Sequence, residues 1–371
     1  YVVDTGLARI SRYTPRTRTT ALPVVPVSRS SADQRKGRCG RVANGVCIRL
    51  YSEEDYNDRD QYTLPEILRS NLAEVILRMM SLKLGDINEF PFIDRPSPRS
   101  IQDGFDLLME LGAIEKAARP GGRHRKKSGA GPRDGSNGFV LTGKGRMMAR
   151  LPIDPRLSRM LIQAHAEGCT PSVTVIAAAL SIQDPRERPA EKAGLADQAH
   201  AAFRDPWSDF VSLLNIWQGY QAAVRAGRKT GQIARQLKDF CRTHFLSFKR
   251  MREWRDIHDQ ISAILRENKL TGRHAEIASD ARGPVAGDGF GSLYKAVHTS
   301  VLSGFLSNIA VKKENHLYQG TKGRQPMIFP GSGLFKNAGG WIVAAEMMDT
   351  SRLFARTVAR IDSAWLEAVA G

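Results

Sequence analysis

The chain has 371 residues, and 55 Lys+Arg against 38 Asp+Glu give it a formal net charge of +17 and an isoelectric point near 10. Hydrophobic residues at 42% and charged residues at 25% are ordinary for a globular protein, which excludes a disordered or fibrous chain. The longest apolar run, Ser172 to Ile182, is too short for a membrane span, and the excess of cations points to a polyanionic partner, nucleic acid first.

Tyr1-Val2-Val3 reads as a strand ending in the turn Asp4-Thr5-Gly6. The chain opens without Met, so the expectation is a fragment truncated at its N-terminus, with no signal peptide. Arg9, Arg12, Arg16 and Arg18 alternate with Thr, Ser and Tyr around Pro15, which suits a basic β-hairpin reaching to Val25. The octet Gln34-Arg35-Lys36-Gly37-Arg38-Cys39-Gly40-Arg41 follows and is expected to open a helix, with Ser30, Ser31 and Asp33 as candidate caps. Val46 to Tyr51 alternates as a strand. This first unit is assigned to residues 1–58.

Residues 59–141 change character. Thr63-Leu64-Pro65-Glu66 is a capping box with Pro at the first helical position, and Leu68, Leu72, Val75, Ile76 and Met79 follow at helical spacing up to Gly85. A second helix is expected from Ser100 to Leu111, with Gly112 beyond it, then a basic, Gly-rich loop over 117–138 and the strand Phe139-Val140-Leu141. Two helices and a β-wing make a winged-helix pattern. Residues 142–270 read as a helical bundle, with Asp154-Pro155, Thr170-Pro171 and Asp205-Pro206 as starts and Trp217 and Trp254 as core aromatics. A polar, Gly-rich linker covers 271–291. One helix from Leu293 to Leu306 leads into the short strands Ile309–Val311, Met327–Phe329, Trp341–Val343 and Thr357–Ala359, a pattern that suits an OB-fold over 292–371. The expected fold class is therefore mixed and multidomain: a partial α/β RecA-like domain, a winged helix, an α-helical ratchet bundle and a C-terminal β OB-fold.

The octet carries the chemistry. Arginine presents a planar fork of donors that matches phosphate oxygens and keeps its charge at neutral pH, and glycine lets backbone approach a phosphate. Phosphoryl transfer spreads charge over the γ-phosphate oxygens, which an inserted arginine stabilises. Helical spacing would set Gln34, Arg38 and Arg41 on one face; the alternative is a basic, solvated helix. Neither the cysteines Cys39, Cys47, Cys169 and Cys241 nor the eight histidines show ligand spacing, so no metal site is assigned to them.

The pattern Gln-Arg-x-Gly-Arg-x-Gly-Arg resembles motif VI of the superfamily 2 helicases. The resemblance extends to Tyr1–Gly6, Ala8–Tyr13, Pro65–Arg69, Leu151–Leu157, Leu180–Pro189 and Ile328–Leu334, and covers essentially the whole chain. These segments are similar to the bacterial HrpA-type DEAH-box RNA helicases. The resemblance implies a second RecA-like domain, winged helix, ratchet bundle and OB-fold in that order, and ATP-driven translocation from 3′ to 5′ along RNA. Gln34, Arg38 and Arg41 would be catalytic; Gln34, Arg35, Gly37, Arg38, Arg41 and Asp4 would face ATP. Arg9, Arg12, Arg16, Arg18, Lys322, Arg324 and Ser332 would meet RNA. The family's Gly-x-x-x-x-Gly-Lys-Ser/Thr loop and Asp-Glu-Ala-His box do not occur in these residues. ATP and Mg²⁺ are therefore expected to sit mainly on a first RecA-like domain acting in cis, and the chain alone is expected to be inactive. The further expectations are a cytoplasmic monomer without membrane contact. A different class of function fits the same elements: a non-catalytic winged-helix and OB nucleic-acid-binding protein.

Overall fold

The computed structural model describes residues 1–117, 138–271, 290–314, 316–337 and 339–370. The expectations for the basic loop and for most of the linker fall on residues 118–137 and 272–289, outside the described residues.

At the N-terminus, strand β1 (Val2–Asp4) begins a long ribbon made of β2 (Leu7–Arg9), β3 (Arg12–Thr14), β4 (Thr19–Ala21) and β5 (Val24–Pro26). β2 pairs antiparallel with β5, and β3 with β4, so residues 7–26 form one hairpin. Helix α1 (Arg29–Lys36) packs beside β1, and β6 (Cys47–Arg49) pairs parallel with β1. Ser28 caps α1: its hydroxyl accepts from the Ser31 amide at 3.3 Å. The octet therefore closes this helix rather than opening it, because Ser28 satisfies the first free amides and the glycines end the run.

After helix α2 (Glu53–Asp58), the capping box at Thr63–Glu66 yields only a single 3-10 turn, Glu66–Leu68. Helix α3 (Ala73–Leu82) starts later, where the Asn71 side chain accepts from the Ala73 amide at 2.9 Å, and it ends at Lys83 in the left-handed conformation, not at Gly85. Helix α4 (Pro98–Glu110) follows with Ser97 as cap, and β7 (Ile114–Lys116) pairs antiparallel with β8 (Phe139–Leu141). These elements share a core of Leu72, Ile76, Phe105, Leu108, Leu111 and Met148. Met148 comes from the short helix α5 (Gly143–Met148).

The bundle comprises α6 (Pro155–Ala166), α7 (Thr170–Leu180), α8 (Ala193–Ala201), α9 (Asp209–Thr230), α10 (Ile233–Thr243) and α11 (Phe248–Glu267). The apolar run noted in the sequence is α7, buried on nearly every side. One helix start moves: α9 begins at Asp209 under a Ser208 cap rather than at Asp205-Pro206. Trp217 and Trp254 are fully buried, with ring centroids 5.3 Å apart. The Trp254 indole N–H donates to the Val175 carbonyl at 3.0 Å, so the buried polar edge is satisfied.

Helix α12 (Ser292–Phe305) was grouped with the barrel in the sequence, but it packs along α6. Gly304 makes this possible: a Cβ there would meet the Arg156 carbonyl at 2.5 Å. The barrel consists of β9 (Ile309–Glu314), β10 (Leu317–Gly320), β11 (Met327–Ile328), β12 (Trp341–Asp349) and β13 (Leu353–Ile361), with helix α13 (Ala364–Ala370) after it. Hydrogen bonding runs β13-β11-β10-β9-β12, and the β12–β13 pairing closes the ring. A closed ring of five strands fits the expected OB-fold. β10 escaped the sequence reading because Leu317-Tyr318-Gln319-Gly320 is short and lacks a β-branched residue. Strands β12 and β13 are buried on both faces: Ile342 and Val358 point into the barrel, while Val343 and Ala359 join the bundle core. β4 then adds to β12 in parallel, with Thr20 opposite Met348, so the hairpin continues the barrel sheet.

Candidate nucleotide-facing loop and nucleic-acid interface

The octet is braced from below. Arg35 in the last turn of α1 donates to Asp4 Oδ1 at 2.8 Å and to the Leu7 carbonyl at 3.2 and 3.3 Å. Asp4 is 2% exposed and also accepts from the Gly6 amide at 2.9 Å and the Tyr51 hydroxyl at 3.1 Å. Burial pushes its carboxyl up, but the Gly6, Arg35 and Tyr51 donors outweigh that and hold it below the usual range. Asp4 is thus a positioning residue for Arg35. Its burial and three engaged donors leave its oxygens occupied within the chain.

Above this brace, Gln34, Arg38 and Arg41 are exposed, and the two arginines have no carboxylate partner among the described residues. Gly37 ends α1, Arg38 stands in the turn that follows and Arg41 beyond it. They do not share a helical face, as the sequence spacing suggested. The turn instead displays two unpaired guanidiniums on open backbone, with free donors for an anion.

The second cluster lies where the hairpin meets α4 and the barrel. Arg18, at the hairpin turn, is 6% exposed and has a φ of +50°. Its guanidinium donates to Asp103 Oδ1 at 2.8 Å and to Glu110 Oε2. Asp103 Oδ2 accepts from the Tyr13 hydroxyl and from Asn71, both at 2.8 Å, and Glu110 Oε1 accepts from the Ser307 amide at 3.0 Å. Burial, then the Asp103 charge, drives the Tyr13 hydroxyl far above its ordinary value.

Three residues expected at RNA are spent inside this framework. Arg18 is held by its two carboxylates. Arg324 is 4% exposed; it donates to the Ser307 carbonyl and to Thr321 Oγ1, the latter at 2.6 Å. Ser332 donates to the buried carboxylate of Asp209 at 2.7 Å, which also accepts from the Gly333 and Val358 amides at 2.8 and 2.9 Å. Donors already engaged in the interior cannot also grip a phosphate without breaking these bonds. Arg9, Arg12 and Arg16 on the hairpin remain exposed, as does Lys322. Partial burial, then the Arg18 charge, lowers the Lys322 ammonium from its ordinary value.

Between the hairpin, α3, α4 and α6 lies a cleft of about 240 Å³ lined by polar groups that include Tyr13, Arg69, Asn71 and Arg156. The Nε atoms of Arg69 and Arg156 are buried there without a hydrogen-bond partner among the described residues. The sequence reading missed Asp103, Glu110 and Asp209. One signal was available: Asp103 sits among Ile101, Phe105 and Leu108 on the buried face of α4, where a carboxylate needs a cationic partner.

Comparison with known proteins agrees with these elements. Residues 154–246 match the helicase-associated domain (HA2), described as ratchet-like, and residues 297–371 match the oligonucleotide/oligosaccharide-binding (OB)-fold. Across all 371 residues the chain is 46% identical to the ATP-dependent RNA helicase HrpA homolog of Haemophilus influenzae and 43% identical to the ATP-dependent RNA helicase HrpA of Escherichia coli. It spans 26% of the length of each. A probable ATP-dependent RNA helicase of Pongo abelii, DHX35, is 28% identical over 368 residues, which is 99% of this chain and 45% of that protein.

Proposed function

We propose that this chain is a segment of an HrpA-type ATP-dependent RNA helicase, the part of such an enzyme that senses the nucleotide and grips RNA. The observation that carries the reading is the exposed, unpaired pair Arg38 and Arg41 on a turn braced by Arg35 and Asp4. Free guanidiniums suit the phosphates of ATP, whose hydrolysis would supply the free energy for movement. Arg38 and Arg41 would stabilise charge on the γ-phosphate, and Gln34 would orient a water by its amide. Arg35 and Gly37 would shape the loop. The chain holds no Gly-x-x-x-x-Gly-Lys-Ser/Thr loop. A first RecA-like domain acting in cis is the proposed holder of the remaining phosphates and of Mg²⁺, and these 371 residues alone are proposed to be inactive.

Residues 1–58 would then be the C-terminal part of the second RecA-like domain, 59–141 a winged helix, 142–270 the ratchet and 292–371 the OB-fold. The cations Arg9, Arg12, Arg16 and Lys322 face solvent around the hairpin and barrel and suit the RNA backbone. The hairpin, fixed by Arg18, is proposed to part the strands of a duplex drawn past it. Translocation from 3′ to 5′, a cytosolic setting and a monomeric state complete the proposal.

The test is strand displacement by the intact protein on duplexes with a 3′ or a 5′ single-stranded RNA overhang. ATP-dependent unwinding of the 3′-tailed duplex alone is expected. RNA binding without unwinding of either duplex would favour the non-catalytic reading.

A further inference from the structure

No Asp or Glu occurs between Asp209 and Asp239, although the chain as a whole carries 38 acidic residues in 371. That acid-free stretch covers the end of α9, the turn and the start of α10. It holds Arg225, Arg228, Lys229, Arg235 and Lys238, all exposed. Arg242 continues the row on α10, and Lys249 adds a further exposed cation at the start of α11. The one acid within the row, Asp239, pairs with Arg242 at 2.9 Å and reaches Arg235 only at 3.9 Å. Arg225, Arg228 and Lys229 have no ion-pair partner among the described residues.

Helix electrostatics accounts for only part of this pattern. Arg228 and Lys229 lie in the last turn of α9, where cations complement the helix dipole. Arg235 lies in the first turn of α10 and Lys249 in the first turn of α11, and neither turn contains an acid. A cation there opposes the dipole, and Arg225, Arg228 and Lys229 at spacings of three and four repel one another. The charge placement therefore costs stability and calls for an external anion. The two helices also pack closely. A Cβ on Gly227 would meet Ile233 Cα at 2.5 Å, so the two helices close tightly at the tip. The inner face of α10 is anchored by buried Leu237 and Cys241.

The tip lies at the far end of α9 from the contact of that helix with the barrel. Asp209, at the other end of α9, is bonded to Ser332 and Val358 of the barrel. The 22 residues of α9 separate the tip from that contact by roughly 33 Å at 1.5 Å per residue.

We propose that the α9–α10 tip is a second docking surface for RNA backbone, separate from the contacts at the hairpin and barrel. It holds a distant part of the same RNA by its phosphates, without reading sequence. This inference rests on the reading of the protein as an RNA-binding motor.

The test compares the intact protein with a variant carrying Arg225→Gln, Arg228→Gln, Lys229→Gln and Arg235→Gln. Two single-stranded RNA probes are used, one of about ten nucleotides, sized for a single OB-like site, and one of about forty. The variant is expected to keep its thermal midpoint and its affinity for the short RNA. Affinity for the long RNA should fall about ten-fold or more, and the log–log salt slope should become shallower by about 2–3, from roughly 0.7 per lost phosphate contact. Unchanged long-RNA affinity and slope would overturn the surface as an RNA site and point to an acidic protein instead. Loss of long-RNA binding in the variant, with no short-RNA binding by the unsubstituted protein, would keep this surface and sink the hairpin and barrel contacts.

Discussion

His298 shows how the interior constrains single side chains. Its ring is fully buried; Nδ1 donates to the Tyr294 carbonyl at 2.6 Å and Nε2 accepts from the Ser208 hydroxyl at 2.7 Å. That arrangement fixes the neutral tautomer, since a protonated Nε2 would turn its hydrogen toward a hydroxyl that also caps α9. Burial drives its pKa down to about 4. The unfolded chain therefore takes up this proton near pH 6.5 and the folded chain only near 4, so stability is full above 6.5 and falls as the pH drops between them. With a folded pKa of about 4 and an ordinary value of 6.5, the loss is about 3 kcal/mol. Denaturant unfolding at stepped pH should reveal this slope, and His298→Gln should flatten it; an unchanged slope in the variant would remove the assignment. The sequence displayed Arg38 and Arg41 as candidate phosphate ligands because the octet that carries them is contiguous. It concealed the pairing of Arg18 with Asp103, and of Ser332 with Asp209, because those partners are 85 and 123 residues apart.

Among the elements, the hairpin joins the most parts of the chain. β4 extends the barrel through β12, Tyr13 and Arg18 bind α4, and Glu110 of α4 bonds the Ser307 amide just before β9. Removing the cation from between two carboxylates leaves them buried and unbalanced, so Arg18→Ala should cost about 3 kcal/mol or more. Its functional readout is coupling: strands separated per ATP hydrolysed should fall while RNA-stimulated hydrolysis persists. A variant that unfolds no more readily and unwinds as well as the parent would show that the turn needs no such lock. Apolar periodicity made α4, α6, α7 and α9 visible in the sequence, since each buries one face or nearly all of itself. Helix starts were less visible. Asp205 resembles a cap, but its carboxylate accepts from the Trp207 and Ser208 amides, and the cap of α9 falls to Ser208. Thr63 likewise spends its hydroxyl on Ser28 and Ser31 rather than on a helix of its own.

At the scale of the molecule, bundle and barrel share a core. Val343, Ala359, Ile361 and Trp365 from the barrel region pack with Trp217, Trp254 and Tyr294 of the bundle. The buried Asp209 carboxylate adds three hydrogen bonds across the same junction. Helices α3 to α5, the bundle, the barrel and the hairpin tip are thus tied together, while the arginine loop stands outside with its donors free. The order of elements was legible because each has its own periodicity and turn chemistry. The joints were not, because β4 on β12 and α12 on α6 depend on surfaces that only the folded chain brings together. Under the proposed function, such a body would hold RNA while the exposed loop responds to a nucleotide. The most direct test is RNA-stimulated ATP hydrolysis by the intact protein with Arg38→Ala and with Arg41→Ala. Each substitution should lower kcat about 100-fold or more, the effect of removing a donor from developing transition-state charge, with RNA affinity retained. Hydrolysis at the parent rate in both variants would contradict the assignment of this loop to ATP.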